Sequence, residues 1–91
     1  MIAFTPRILK GAARQLRKLD PPVAKRIIRQ ISWLAQHFNE LKPEALKGDL
    51  AGLFKYREGD YRIIYEPIPE ERILVIHEIG HRSEIYKKSK T

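Results

Sequence analysis

The sequence has no cysteine, and only three histidines, among its 91 residues. Without thiols the chain forms neither a disulfide framework nor a thiolate metal site, a composition compatible with a reducing compartment. No apolar run approaches the ~20 residues of a membrane span. The N-terminus also lacks the basic and then apolar layout of a signal peptide. These absences predict a cytoplasmic protein with no membrane partner and no bound metal.

The charge of the chain is strongly asymmetric. Residues 1–39 hold eight Lys or Arg and one acid, whereas residues 40–91 hold ten of each, so the net charge of +7 comes from the N-terminal part. A basic half of this kind favours a polyanionic or acidic partner. A solvated helix surface that keeps a small domain soluble would explain the same charge. The length predicts a single domain, 1–91, because such a chain buries surface enough for one core.

Two helices are predicted in the basic half. Residues 2–4 are apolar and have room for one strand, and Thr5-Pro6 then has the N-cap hydroxyl and first-turn proline of a helix start. Asp20-Pro21 repeats this signal before a second helix. Apolar residues recur at helical spacing in both segments, as Ile8, Leu9, Ala12, Leu16 and Leu19 and as Val23, Ile27, Ile31, Leu34 and Phe38. A basic face is predicted on the first helix, formed by Arg7, Lys10, Arg14 and Arg17.

Residues 53–65 carry a β-hairpin signal. Two runs rich in aromatic and β-branched residues flank Glu58-Gly59-Asp60, and glycine supplies the positive φ of a tight strand reversal. Strand alternation places Lys55 and Arg57 on one face, and Arg62 joins them if the register allows it. Cations gathered on a rigid sheet form a phosphate site that needs no metal.

The remaining segments complete the order β-α-α-β-β-β. Residues 39–52 are predicted to be a connector, with a short helical possibility around 43–46. A continuous apolar run at 73–79 is typical of a central strand covered on both faces. The predicted fold is an α+β two-layer domain, in which the N-terminal strand and an antiparallel helical hairpin pack on a small, mainly antiparallel β-sheet. Residues 87–91 are expected to be a frayed tail.

Three motifs in this order resemble the RelE/ParE superfamily of type II toxins. They are Leu46-Lys47-Gly48-Asp49-Leu50, Phe54-Lys55-Tyr56-Arg57-Glu58-Gly59-Asp60-Tyr61-Arg62-Ile63-Ile64-Tyr65 and Ile79-Gly80-His81-Arg82-Ser83-Glu84-Ile85-Tyr86. With the two helices, the resemblance covers essentially the whole chain. It implies a toxin that a cognate antitoxin holds inactive. RelE-like members cut mRNA in the ribosomal A site without a metal, and ParE-like members inhibit DNA gyrase.

The resemblance to the RelE branch also implies site residues. By position, the sheet lysine of that branch corresponds to Lys55, the arginine of the turn motif to Arg62, and the C-terminal tyrosine to Tyr86. Arg57 and Arg82 fall on basic positions of the same surface.

Two departures from the RelE pattern affect the assignment of the general base. Leu53 stands where that pattern has a second lysine, and His81 lies near an arginine position that is unmatched. Cleavage of RNA through its own 2′-hydroxyl requires a base, cations for the phosphorane and an acid for the 5′-oxygen. Lys55 is a candidate base, His81 is the alternative base or acid, and Tyr86 is a candidate donor to the leaving oxygen.

The predicted function is a metal-independent, cofactor-independent endoribonuclease that cleaves mRNA on the ribosome, with an antitoxin, the ribosome and mRNA as partners. The predicted catalytic residues are Lys55, Arg62, His81, Arg82 and Tyr86, and the predicted RNA- or phosphate-binding residues are Lys47, Arg57, Arg7, Lys10 and Arg14. Two alternatives remain open: a ParE-like gyrase inhibitor with no chemistry of its own, and an inactive toxin fold that only binds its antitoxin.

Overall fold

A computed structural model of the chain describes residues 3–83, in which two helices pack on a five-stranded mixed sheet. The strands are β1 (Thr5–Ile8), β2 (Glu44–Ala45), β3 (Phe54–Glu58), β4 (Tyr61–Ile68) and β5 (Ile73–His81), and the helices are α1 (Lys10–Arg17) and α2 (Pro21–Gln36). The sheet order is β1-β5-β4-β3-β2. The pair β1–β5 is parallel and the other pairs are antiparallel. The predicted α+β class and element order are confirmed, and β5, for which the apolar run predicted a central strand, is paired with a strand on both edges.

The first strand and the first helix begin later than the sequence predicts. Pro6 lies inside β1, and α1 begins at Lys10. The amides of Thr5 and Leu9 donate to backbone carbonyls on the β5 side at 2.8 and 3.1 Å. Since alternate amides point towards β5, the missing N–H of Pro6 lies on the outer edge of the sheet, where proline is tolerated. Arg7 is therefore a strand residue and not part of a helical basic face.

The second helix begins where the sequence predicts, with Asp20 at the N-cap and Pro21 as its first residue. The carboxylate of Asp20 makes no capping hydrogen bond. The start of this helix therefore depends on the pre-set φ of proline and on burial of the apolar face rather than on a side-chain cap.

The core lies between the helical pair and one face of the sheet. Its buried members are Phe4, Ala12, Leu16, Ile27, Ile31, Leu34, Ala35, Ile63, Tyr65, Leu74, Ile76 and Ile79. Each fully buried aliphatic side chain among them contributes about 1.5–3 kcal/mol, so burial holds the charged helices on the sheet. No helix within residues 3–83 has the length and apolarity that a bilayer-spanning helix requires.

A two-residue strand replaces the short helix that was predicted around 43–46. In β2, Glu44 pairs with Lys55 and Ala45 with Phe54. The amide of Leu46 then donates to a β3-side carbonyl at 3.0 Å. The hydrogen-bond partners of β2 all belong to the edge of β3. The strand therefore depends on another segment and cannot be recognised from its own sequence. The sheet gains its fifth strand here.

Candidate phosphate-binding site

The register of the β3–β4 hairpin brings the predicted sheet cations together. Arg57 lies opposite Arg62, and Lys55 lies opposite Ile64. Residues directly opposite in an antiparallel pair project to the same face, and Ile63 on the other face is in the core. Lys55, Arg57 and Arg62 therefore share the face that points away from the helices, as the alternation of the sequence predicted.

The turn that joins these strands has two residues, Gly59 and Asp60. Gly59 has φ +60°, whereas Asp60 stays at negative φ. Glycine at the first central position of a two-residue hairpin loop is the requirement of a type II′ turn, whose twist matches that of the strands. The turn therefore holds the two strands in the register that the cations need.

Arg62 is buried, with 5% of its surface exposed. Its Nη1 donates to the carbonyl of Gly59 at 3.2 Å and to that of Tyr61 at 3.1 Å. Its Nε has no hydrogen-bond partner within residues 3–83. The guanidinium is thus anchored to the turn by one nitrogen, while a further N–H group is not used by the described part of the chain.

Lys55 is held by β2. Its Nζ lies 3.3 Å from Oε2 of Glu44, and the lysine side chain is 19% exposed whereas the glutamate side chain is 56% exposed. The ammonium is consequently kept on the cationic face by a carboxylate that is itself open to solvent. Glu44 was not among the predicted site residues, because residues 39–52 read as a connector and the pairing with Lys55 is nonlocal.

His81 lies on the other face of the sheet from the cations. It pairs with Tyr61 across β4 and β5, and the two rings meet edge to face with centroids 5.8 Å apart. Its Nδ1 lies 3.0 Å from Oγ of Ser83. Opposite Arg62 stands Gly80. The predicted convergence of His81 with the cations therefore does not occur within the described structure, because strand alternation sends residues 80 and 81 to opposite faces.

Arg82 and Tyr86 belong to the predicted C-terminal part of the site. The backbone N–H of Arg82 donates to the carbonyl of Asp60 at 2.9 Å, which brings this exposed residue beside the β3–β4 turn. Tyr86 lies outside the described residues, and so does the predicted tail, 87–91.

The other predicted binding residues lie apart from these three cations. Arg7 lies on β1, opposite Val75 of β5, which is outside the core cluster, so Arg7 projects from the same face of the sheet, but two strands separate β1 from β3, a distance of about 14 Å. Lys10 and Arg14 are exposed on α1, in the helical layer, and Lys47 is exposed in the connector before β3. The predicted binding set is therefore divided among separate surfaces.

A cavity of about 240 Å³ opens next to Lys55, at the edge of β3. It is lined by Leu41, Pro43, Glu44, Lys55, Tyr56 and Arg57, among others. The cavity exists because β2 pairs with only two residues of β3, after which the chain departs from the sheet edge. Sequence reasoning missed it, since no local pattern reveals where a short edge strand ends.

Two tyrosines beside the cavity are held in the neutral form. Burial, followed by the neighbouring Tyr56, raises the pKa of Tyr65 to about 12. Burial, followed by the charge of Glu58, raises the pKa of Tyr56 as well. The hydroxyl of Tyr56 donates to Oε1 of Gln30 at 3.2 Å. Both phenols therefore act as fixed neutral walls near neutral pH.

Within residues 3–83, no three His, Asp or Glu side chains are grouped closely enough to hold a metal ion. The chemistry that the described residues offer is that of a cationic surface. It consists of one buried, anchored arginine, one exposed arginine and one lysine paired with a carboxylate, an arrangement suited to a phosphate group.

The chain is similar to known toxins in both sequence and structure. The sequence model of the ParE toxin of the type II toxin–antitoxin system parDE matches residues 4–86. Toxin RelG of Mycobacterium tuberculosis (strain ATCC 25618 / H37Rv) is 34% identical over 91 aligned positions, which cover 93% of this chain and 98% of RelG. In the crystal structure of the toxin–antitoxin complex RelBE2 from M. tuberculosis, one chain superposes with a TM-score of 0.82 at 30% identity, covering 91% of this chain and 95% of that one.

A mutant of the E. coli toxin RelE in the free state superposes with a TM-score of 0.73 at 20% identity. The superposition covers 93% of this chain and 92% of the E. coli chain. At this identity the likeness shows a shared fold alone.

Proposed function

Because the chain belongs to the ParE toxin family of type II toxin–antitoxin systems, we propose that it is a toxin that cleaves mRNA on the ribosome and so inhibits translation. The observation that carries the proposal is the gathering of Lys55, Arg57 and Arg62 on one face of a rigid hairpin. On that face Arg57 is exposed, the Lys55 side chain is 19% exposed and Arg62 is buried, so an approaching phosphodiester meets Arg57 and Lys55 before it reaches Arg62. The curated relative RelG supports the toxin assignment without specifying its target.

In the proposed reaction the 2′-oxygen of the RNA attacks the adjacent phosphorus, the bond to the 5′-oxygen breaks, and a cyclic phosphate forms. Arg57 and Arg62 stabilise the charge of the phosphorane, since guanidinium groups bind phosphate oxygens bidentately. Lys55, once it has lost its own proton to solvent and become a neutral amine, takes the proton of the 2′-hydroxyl, and Tyr86 donates its phenolic proton to the leaving 5′-oxygen. Arg82, beside the β3–β4 turn, adds a further cation.

His81 has second place among the candidate bases. Imidazole is a common general acid or base in catalysis. Its ring packs against Tyr61 on the helix-facing side of the sheet, so a phosphate bound by Lys55 and Arg57 would be out of its reach without a change at the end of β5.

We also propose an antitoxin as the physiological partner. The RelBE2 relative is a toxin–antitoxin complex, and the exposed cations of α1, Lys10 and Arg14, favour an acidic segment. Ribosome and mRNA are the further partners that the nuclease proposal requires.

A second candidate function is inhibition of DNA gyrase without chemistry. Its support is that the matching sequence model is that of the ParE toxin and that, within residues 3–83, the predicted site residue His81 lies on the face of the sheet opposite the cations. A protein that inhibits gyrase by binding alone needs no general acid and base on one surface. The separation of His81 from the cations would therefore not affect its function.

The test is a defined translation extract programmed with one mRNA, to which the purified chain is added, with cleavage mapped by primer extension. We expect cuts that appear only on translated message and disappear with Lys55→Met. The matched control is Lys25→Met, on the exposed side of α2, which should cut normally. Intact message together with inhibition of gyrase supercoiling would transfer the assignment to the second candidate.

A further inference from the structure

We propose that the cavity at the edge of β3 is a nucleobase subsite, in which Glu44 discriminates among bases. The proposal rests on the nuclease function proposed above and adds to it the recognition of one RNA base beside the bound phosphate. The cavity adjoins Lys55 and Arg57, so a phosphate held by these cations would place the attached nucleotide at its mouth.

The size of the cavity suits one base. Its volume is about 240 Å³, smaller than the ~300–1,000 Å³ of pockets that enclose drug-sized ligands. Its lining residues include Leu41, Pro43 and Tyr56. Unstacked RNA bases are bound by such apolar and aromatic surfaces, because every base presents a π-face.

Tyr56 is held as a fixed wall. Its hydroxyl donates to Gln30 of α2 at 3.2 Å, and its ring centroid lies 6.3 Å from that of Trp33. A stacking surface that is fixed before the base arrives loses little entropy on binding. Lys42 also lines the cavity and adds a cation for the backbone of the same strand.

Glu44 gives the cavity its selectivity. Its carboxylate can accept hydrogen bonds but cannot donate them. The glutamate side chain is 56% exposed, and its carboxylate lies 3.3 Å from the ammonium of Lys55. Because the carboxylate side of this pair is open to solvent, a phosphate can replace Glu44 as the partner of Lys55. When a phosphate takes Lys55, the carboxylate is released towards the cavity, where it accepts a hydrogen bond from an exocyclic amino group. Cytosine, adenine and guanine carry such a group and uracil does not.

The test measures binding of short RNA homopolymers to the full chain in the absence of ribosomes, by fluorescence anisotropy of labelled oligonucleotides at low salt. The fluorescence of Trp33, the only tryptophan in the sequence, reports on occupation of the cavity through its contact with Tyr56. We expect oligo(C) and oligo(A) to bind about tenfold more tightly than oligo(U), the discrimination of one good hydrogen bond to a base edge, and to quench Trp33.

The decisive variant is Glu44→Gln, which removes the carboxylate and adds an amide donor that fits the uracil carbonyl. It should bind all the homopolymers with affinities within about threefold of one another, since the source of discrimination is gone. The matched control is Glu58→Gln, which breaks a similar exposed pair, that of Glu58 with Arg26 at 3.1 Å, and should keep the preference of the wild type.

Equal affinity for the homopolymers in the wild type, or an unchanged preference in Glu44→Gln, would overturn the subsite. Quenching of Trp33 by an acidic peptide but by none of the oligonucleotides would also overturn it and assign the cavity to a protein partner. The outcome is separable from that of the nuclease proposal. Base-selective binding without cleavage in the translation extract rejects the nuclease and retains the subsite, whereas cleavage with indiscriminate binding does the reverse.

Discussion

Arg57 and Arg62 lie directly opposite each other on neighbouring antiparallel strands. Like charges in this position destabilise a sheet. One of the two is exposed and the other is buried and bonded to the turn, so the pair is asymmetric. A cross-strand repulsion beside a tight turn is a cost to folding that a bound polyanion removes, which is why the pair points to binding.

Arg57→Thr should therefore change stability and binding in opposite directions. We expect the free energy of unfolding to rise by about 0.2–1 kcal/mol, because the cross-strand repulsion is relieved and threonine suits a strand. The affinity for single-stranded RNA should fall, and the slope of log K against log salt should decrease by about 0.7. Urea unfolding and titrations at several salt concentrations measure the two effects. A loss of stability in this variant would contradict the inferred repulsion.

Arg62→Ala should destabilise the fold. The guanidinium is 5% exposed and donates to two carbonyls at the turn, so its removal takes away hydrogen bonds from a charged group, at a cost of about 1.5–3 kcal/mol. Urea unfolding checks this, with Arg57→Thr as the matched control on the opposing strand. Loss of activity in Arg62→Ala with unchanged stability would assign to Arg62 a purely functional role and contradict its anchoring at the turn.

Gly59→Ala should cost about 1 kcal/mol of stability. Gly59 has φ +60° and nothing within 4 Å of an added Cβ, so the cost comes from the backbone conformation alone. Gly11, in α1, is equally open but has helical φ, and Gly11→Ala should stabilise by about 0.4–1 kcal/mol. Thermal or urea unfolding of the two variants should give opposite signs, and a shared sign would refute the assignment of strain to the turn.

Tyr65 should make stability depend on alkaline pH. The folded pKa of Tyr65, about 12, lies above the ordinary value of 10.0, so the folded state retains the phenolic proton more firmly than the unfolded state does. Its contribution is complete below pH 10 and is lost as pH rises from about 10 to about 12, by about 2–3 kcal/mol. Urea unfolding across this range should show the loss in the wild type and a smaller one in Tyr65→Phe. If the free energy of unfolding fell in parallel with pH for the wild type and Tyr65→Phe, this contribution of Tyr65 would be contradicted.

His81→Ala distinguishes the two candidate bases. A residue that transfers a proton in the transition state contributes about 10²–10⁴ in rate. Because the ring of His81 packs on Tyr61, away from the cations, we expect mRNA cleavage by His81→Ala to fall by less than about tenfold, against a loss of about 10² or more for Lys55→Met. Rates of cleavage in the translation extract measure both. A greater loss in His81→Ala would require the end of β5 to rearrange on the ribosome.

The hairpin shows how far sequence reasoning reaches. Period-two alternation and a glycine-containing turn are local signals, so the shared face of Lys55 and Arg57 could be predicted, and the register then added Arg62. The face occupied by His81 could not be predicted in the same way, because a register shift near Ile64 intervenes in the β4–β5 pairing.

The parts that sequence reasoning missed depend on distant partners. Thr5-Pro6 satisfies the rules of a helix start. It nevertheless forms a strand, because the amides of Thr5 and Leu9 donate to backbone carbonyls on the β5 side. Glu44 has no strand signal of its own, and its pairing with Lys55 created both the ion pair and the cavity. In each case the nonlocal hydrogen-bond partner determined the structure, and the local propensity did not.

The parallel pairing of β1 with β5 joins segments from the two ends of the described chain. A protein is made from its N-terminus, so β1 leaves the ribosome long before β5, on which it docks, has been translated. This pairing can form only after β5 has been made, and its large separation in sequence makes it a slow step in folding. The strands that carry the cations, β3 and β4, are joined by two residues and need no such distant partner to pair with each other.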